Sequence, residues 1–297
     1  SFPALGLLVS TFGRALMSYK WGLLLRGRRL HLPFFRGMKI YCASCVWGMF
    51  LPSTVGADAI RAVSTSRIGL DPVEVIASII IERIIGFLTA LLLGLIGLFS
   101  LSLLGVIDPR FDFVWWVGGS MLVSFTIAFA ASFSRVGFNL LHNGFLHRFR
   151  DARVVRKFRQ LHSTYQTYQQ NKRVLGTFFG LTFIEQLSRI FFTWVLARGL
   201  AVEVDLLFVA GVVPLALIVS RIPVSISGWG IFDGAFLLLM SLAGVAPAES
   251  VAIVMVTRIV QIISWLPWWM AEVMNTGKVR PPMMAVEGTP IQNMPLR

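Results

Sequence analysis

Asp58, Arg61, Glu82 and Arg83, and later Asp233 and Arg258, are ionisable residues set in stretches otherwise built from Leu, Ile, Val, Ala and Phe. The arginine fork of N–H donors matches a carboxylate or a phosphate in two-point contact. The set therefore supports two kinds of chemistry. Arg61, Arg83 and Arg258 can gather around a phosphate group, with Glu82 beside them. Alternatively, Arg83 pairs with Asp58 and Arg258 with Asp233, and the pairs pin two reversals of the chain. A charge at the centre of a bilayer costs about 2.5–3.5 kcal/mol even on the lenient insertion scale, so several together require partners or a ligand. Arg14, Lys20, Glu185, Arg189 and Arg221 also lie within or at the ends of apolar stretches. Of these, Lys20 and Arg221 are expected to reach for a membrane surface along their apolar stems.

The elements that must carry these charges are membrane helices. Hydrophobic residues make up 56% of the 297 and charged residues only 14%, against about a quarter charged in a soluble domain. The runs 76–106 and 113–133 exceed the roughly 20 residues that cross a bilayer, and they lack the alternation of a barrel strand. The fold class that follows is all-α and polytopic. The net charge is +13, and residues 135–173 hold nine basic residues against Asp151 alone. That bias reads as a cytoplasmic loop on anionic headgroups. No nucleic-acid motif accompanies it, so no nucleic-acid partner is expected. Threading the chain by this rule gives five full spans and two re-entrant hairpins, over 32–68 and 206–244. The first helix runs over about 2–25.

An internal repeat orders the same elements. A shift of 175 places Asp58 on Asp233, Ser66 on Ser241, Gly69 on Gly244 and Pro72 on Pro247. It also places Glu74 on Glu249, Ala77 on Ala252, Arg83 on Arg258 and Ile84 on Ile259. Chance would give roughly two such identities over that length. Arg14 falls on Arg189 at the same interval. The threading gives the two copies opposite orientation, an inverted-topology repeat of the kind found in transporters. One transmembrane domain over 1–297 is expected. It comprises repeat 1 (about 1–105), a connecting helix and basic segment (106–173), repeat 2 (174–272) and a mobile tail (273–297). The chain opens on Ser1 without a signal-peptide pattern, which suggests that a helix preceding it is missing.

The reversals "LPSTVGADAIR" and "IPVSISGWGIFD" combine proline, glycine and charge. Gly56, Gly228 and Gly230 can take positive φ there. Ser225 and Ser227 can donate hydroxyls, and Trp229 can wall a cavity. Helices starting just after Asp58 and Trp229 would aim amide N–H groups at an anion. Non-helical backbone at membrane depth must be buried in protein or line a wet cavity. Both reversals are therefore expected to face one shared polar cavity.

"FLPSTVGADAIRA" with "IIIERIIGFL", and "RIPVSISGWGIFDGAF" with "VTRIVQIISW", resemble the lysylphosphatidylglycerol synthase transmembrane-region family of flippase-like integral membrane proteins. The resemblance runs from the first helix to Trp269. It implies a multi-pass protein of the cell inner (plasma) membrane that translocates a phospholipid or polyprenyl-phosphate lipid. Some members carry a cytosolic domain that attaches lysine to phosphatidylglycerol. This chain shows none, so translocation is implied rather than aminoacyl transfer. Gly56-Ala57 replaces a frequent Gly-Gly, and Asp233 stands where glutamate is common.

Two other functions remain open. One is a membrane transferase acting on a phospholipid or polyprenyl-phosphate, with Asp58 or Asp233 as base; the other is a membrane scaffold that holds a lipid-modifying enzyme by its basic loop. A homo-oligomer is the other partner left open. No cofactor is expected. The four histidines, His31, His142, His147 and His162, lack metal spacing, so no metal is expected. Cys42 and Cys45 read as packing residues, and Gly176 with Gly180 as a close helix contact.

Overall fold

Apolar runs punctuated by Pro, Gly and Asp fold here into helices whose ends those residues set. The computed structural model describes residues 2–50, 55–103, 105, 113–132, 164, 166–220 and 230–276. Among the described residues there are nine α-helices and no strand. They are α1 (Phe2–Gly27), α2 (Phe34–Gly48), α3 (Val55–Ser66), α4 (Pro72–Leu103), α5 (Phe113–Ser132), α6 (Lys172–Gly199), α7 (Leu206–Val219), α8 (Ile231–Ser241) and α9 (Pro247–Thr276). A 3-10 turn, Tyr168–Gln170, precedes α6.

Pro72 and Pro247 open α4 and α9, where the missing N–H costs nothing. The Asp71 and Asp205 carboxylates accept the N–H groups of Val73 (2.9 Å) and Leu207 (2.7 Å) at the starts of α4 and α7. The 175-residue interval reappears as backbone geometry. Gly69 and Gly244 end α3 and α8 at φ 88° and 73°. The Leu70 N–H donates to the Thr65 carbonyl and the Val245 N–H to the Met240 carbonyl, 3.2 and 3.3 Å. This is the left-handed cap that only glycine adopts without strain.

Helices α1–α4 and α6–α9 form two sets with matched contacts. The pairs α1/α2, α2/α3 and α3/α4 have counterparts in α6/α7, α7/α8 and α8/α9. Between sets, α4 packs on α7 as α2 packs on α9, and α1 crosses α6. Trp21, Leu25, Ile40, Ala62 and Val75 fill the core of the first set. Val209, Val212, Phe236, Met240 and Ile253 fill that of the second. Helix α5 lies against α4, with Phe87 and Phe125 4.5 Å apart.

The outer surface is apolar, with Leu8, Trp116 and Leu238 more than two-thirds exposed. A soluble monomer rarely shows this and a lipid-facing one does. Among the described residues two helices can cross a bilayer by length and composition, over Pro72–Ser102 and Pro247–Met274. Helices α1 and α6 have 26 and 28 residues, but charges interrupt their apolar faces.

Several sequence expectations shift. Val55 to Arg61 is helical, so Asp58 and Arg61 stand on the first turns of α3 instead of in a loop. Gly56 is helical and does not use positive φ. Helix α9 continues to Thr276, so residues 273–276 of the expected tail are helical, and 277–297 lie outside the described residues. Gly176 and Gly180 have open space where a Cβ would stand, so neither marks a helix contact.

The close approach is instead between α4 and α7. A Cβ on Gly97 would stand 2.6 Å from the Gly211 Cα and 2.8 Å from the Ala210 carbonyl oxygen. These are backbone atoms and cannot swing aside. Gly97→Ala should lower stability by about 1–3 kcal/mol, seen as a reduced melting temperature in detergent. Gly180→Ala, on an open face, should change nothing.

Candidate binding site

The charged residues converge on a cavity of about 320 Å³ between the two helix sets, within the usual range for small-ligand sites, about 300–1,000 Å³. Arg14, Lys20, Arg83, Arg189 and Arg258 line it, with Glu82 and Glu185 as its acids. Its remaining wall mixes Tyr41, Gln186, Thr257 and Gln261 with Phe232, Phe236 and Trp265.

On the first-set side the charges form one chain. The Asp58 carboxylate accepts from Arg83 at 2.8 Å and from Arg61 at 3.3 Å. Arg61 also donates to Glu82 at 2.8 Å, and the Tyr41 hydroxyl donates to the same carboxylate at 3.2 Å. The Arg61 guanidinium sits 4.8 Å from the Trp21 ring centre and 4.9 Å from that of Tyr41, and its side chain is 3% exposed. Arg61 is therefore a buried strut between α3 and α4, behind the cavity wall.

The second-set side is simpler. Arg258 donates to Asp233 at 2.8 Å, and the other Asp233 oxygen accepts the Gly230 N–H at 3.1 Å. Gly230, at φ 87°, caps α8, as expected of a helix starting after Trp229. The carboxylate that meets this helix end is the protein's own. Asp58 and Asp233 thus hold Arg83 and Arg258 from behind, while both arginines face the cavity. The two ion pairs form as the sequence allowed, and pairing does not remove the arginines from the cavity.

Ser225, Ser227, Gly228 and Trp229 lie outside the described residues, as do Leu51 to Thr54, Arg221 and most of the basic segment. Cys42 and Cys45 pack beside Trp265 and Ile262.

The cluster where α1 packs on α6 belongs to the cavity although none of its residues is among the expected site residues. Lys20 does not reach for a surface. It is 3% exposed and donates to Glu185 at 2.6 Å and to Thr182 at 3.1 Å. Glu185 also accepts from Arg189 one turn along α6. Arg14 lies over the Trp265 ring at 5.0 Å. The sequence signal for this cluster was the interval relating Arg14 to Arg189. Among the described residues four that line the cavity carry a buried polar atom without a hydrogen-bond partner: Arg14 Nε, Gln186 Oε1, Thr257 Oγ1 and Trp265 Nε1. Such atoms call for water or a ligand. Among the described residues no cluster could hold a metal ion.

A family model described as the lysylphosphatidylglycerol synthase TM region matches residues 2–267. A "UPF0104 membrane protein" of Methanothermobacter thermautotrophicus is 26% identical over 133 residues, 45% of this chain and 38% of that relative. The match thus spans less than half of either protein. No solved structure matches the chain.

Proposed function

The chain belongs to the lysylphosphatidylglycerol synthase transmembrane-region family of membrane proteins, and from that premise we propose that it moves a phosphate-bearing lipid headgroup across the cell inner membrane. The acyl chains stay in the bilayer while the headgroup passes through the cavity. The observation that carries this reading is the cavity itself, into which both helix sets send arginines beneath an apolar outer surface. Guanidinium groups gathered in one cavity suit a phosphate, which brings the countercharge.

In this reading α1, α4, α5, α6 and α9 span the membrane. The α2–α3 and α7–α8 pairs are re-entrant hairpins that enter from opposite sides. The matched contacts of the two sets, the paired caps at Gly69 and Gly244, and the paired Asp–Arg bridges support an inverted repeat around a central site. Transferase chemistry fits less well, because Asp58 and Asp233 are engaged by arginines and stand outside the cavity lining. A general base must reach the proton that it takes.

The test is translocation by the purified full chain in vesicles. Phosphatidylglycerol labelled on an acyl chain with a nitrobenzoxadiazole group is bleached by external dithionite. Protein-free vesicles should lose about half of the signal, the outer leaflet. Vesicles with the protein should lose nearly all of it within minutes. An inner leaflet that stays protected, in vesicles proved to hold folded protein, would sink the proposal.

A further inference from the structure

Arg14 and Arg189 stand on α1 and α6 at the interval that also separates Arg83 from Arg258. Both line the main cavity and a small cleft that continues from it beside Ser10, Gly13 and Ser188. One turn before each arginine the two sets differ. Glu185 precedes Arg189 and binds it. Its counterpart before Arg14 is Ser10, whose hydroxyl donates to Ser264 at 3.0 Å. Arg14 therefore makes no ion pair among the described residues. It has the Met17 sulfur at 3.4 Å, the face of Trp265 and a buried Nε without a partner.

The charges elsewhere in the site cancel. Arg61 and Arg83 are met by Asp58 and Glu82, and Arg258 by Asp233. Around the α1–α6 crossing, Arg14, Lys20 and Arg189 share Glu185 alone, which leaves two positive charges. Residues 51–54 and 221–229, the two reversals, contain no Asp or Glu and cannot neutralise them.

We propose that Arg14, with Arg189 beside it and the Trp265 indole, is the seat for the phosphate of a headgroup that carries net negative charge and no amine. The lipid is then an acidic glycerophospholipid or a polyprenyl phosphate, and zwitterionic or aminoacylated lipids are selected against. An ammonium on the headgroup would meet two uncompensated cations and no free carboxylate. The inference rests on the reading of the cavity as a headgroup site, and it adds the charge class and the contact that selects it.

The purified full chain in a maltoside detergent at low salt is titrated with dioctanoyl phosphatidylglycerol, dioctanoyl phosphatidylcholine and glycerol 3-phosphate. Affinity is read by thermophoresis. The acidic lipid should bind at least tenfold more tightly than the zwitterionic one, a comparison that needs no variant. Arg14→Gln should remove that margin and Arg14→Lys should keep part of it. Ser10→Glu gives α1 the acid that α6 has, placed to pair with Arg14 as Glu185 pairs with Arg189, and it should also remove the margin while Arg14 is kept. Equal binding of the two lipids by the native chain, or a margin unchanged in Arg14→Gln and Ser10→Glu, overturns the inference and leaves the headgroup site standing. Binding of neither lipid overturns the headgroup site itself. Glycerol 3-phosphate binding as tightly as the acidic lipid overturns the lipid as the source of the phosphate.

Discussion

Replacing Glu185 with Ala should destabilise the protein by about 3–5 kcal/mol, the cost of leaving a buried charge without its partner. The Glu185 and Lys20 side chains are 5% and 3% exposed, so water cannot take over for either. The loss leaves Lys20 with only the Thr182 hydroxyl at 3.1 Å and the Phe178 ring at 5.0 Å. It also frees Arg189, and Arg14 stands on the same wall. Three cations would then share one side of the cavity. Lys20→Met should cost less, because Glu185 keeps Arg189. The pair Lys20→Met with Glu185→Gln should recover part of the loss, since no buried ammonium is then stranded. Thermal unfolding in detergent gives the three values, and their non-additivity measures the coupling. A Glu185→Ala change below about 1 kcal/mol would put the pair in the range of solvated surface pairs.

Arg83→Gln and Arg258→Gln should each slow translocation at least a hundredfold, about 2.7 kcal/mol of barrier, while the fold persists. The fold persists because each carboxylate keeps a second donor. Asp58 retains Arg61 when Arg83 is removed, and Asp233 retains the Gly230 N–H when Arg258 is removed. Arg83 is also 36% exposed on its cavity side, so its removal strands little. Translocation suffers because the phosphate loses a two-point donor in mid-passage. Lysine at either position should restore only part of the rate, being a point charge rather than a fork. The dithionite assay supplies the rates and a melting curve the fold. Full activity in both variants would remove these arginines from the transport path. Unfolding of both would make their bridges structural supports alone.

The elements and much of the candidate site were legible in the sequence because their causes are local. Apolar run length sets the helices, and Pro72, Pro247, Gly69 and Gly244 set their ends through missing donors and left-handed backbone. The repeat was visible because both copies need the same punctuation, and it carried the Asp58–Arg83 and Asp233–Arg258 pairings with it. Where local cues compete, they mislead. Gly56 looks like a turn glycine, yet it lies in the first turn of α3, followed by Ala57, Ala59 and Arg61, which form helix readily. Gly176 and Gly180 have a packing spacing, yet the close helix contact is made by Gly97 of α4 and Gly211 of α7.

Only the tertiary structure decided which charges share a space. Lys20 and Glu185 are 165 residues apart and Ser10 and Ser264 are 254 apart. No periodicity reveals that α1 meets α6 and α9 where these side chains stand. The packing of α3 on α4 decided that Arg61 is a strut behind the wall, and the α1–α6 contact left Arg14 with no ion pair among the described residues. A charge in an apolar helix announces that it needs a partner. Which partner it gets, and whether charge is left over for a ligand, depends on what the opposing helix presents at that depth.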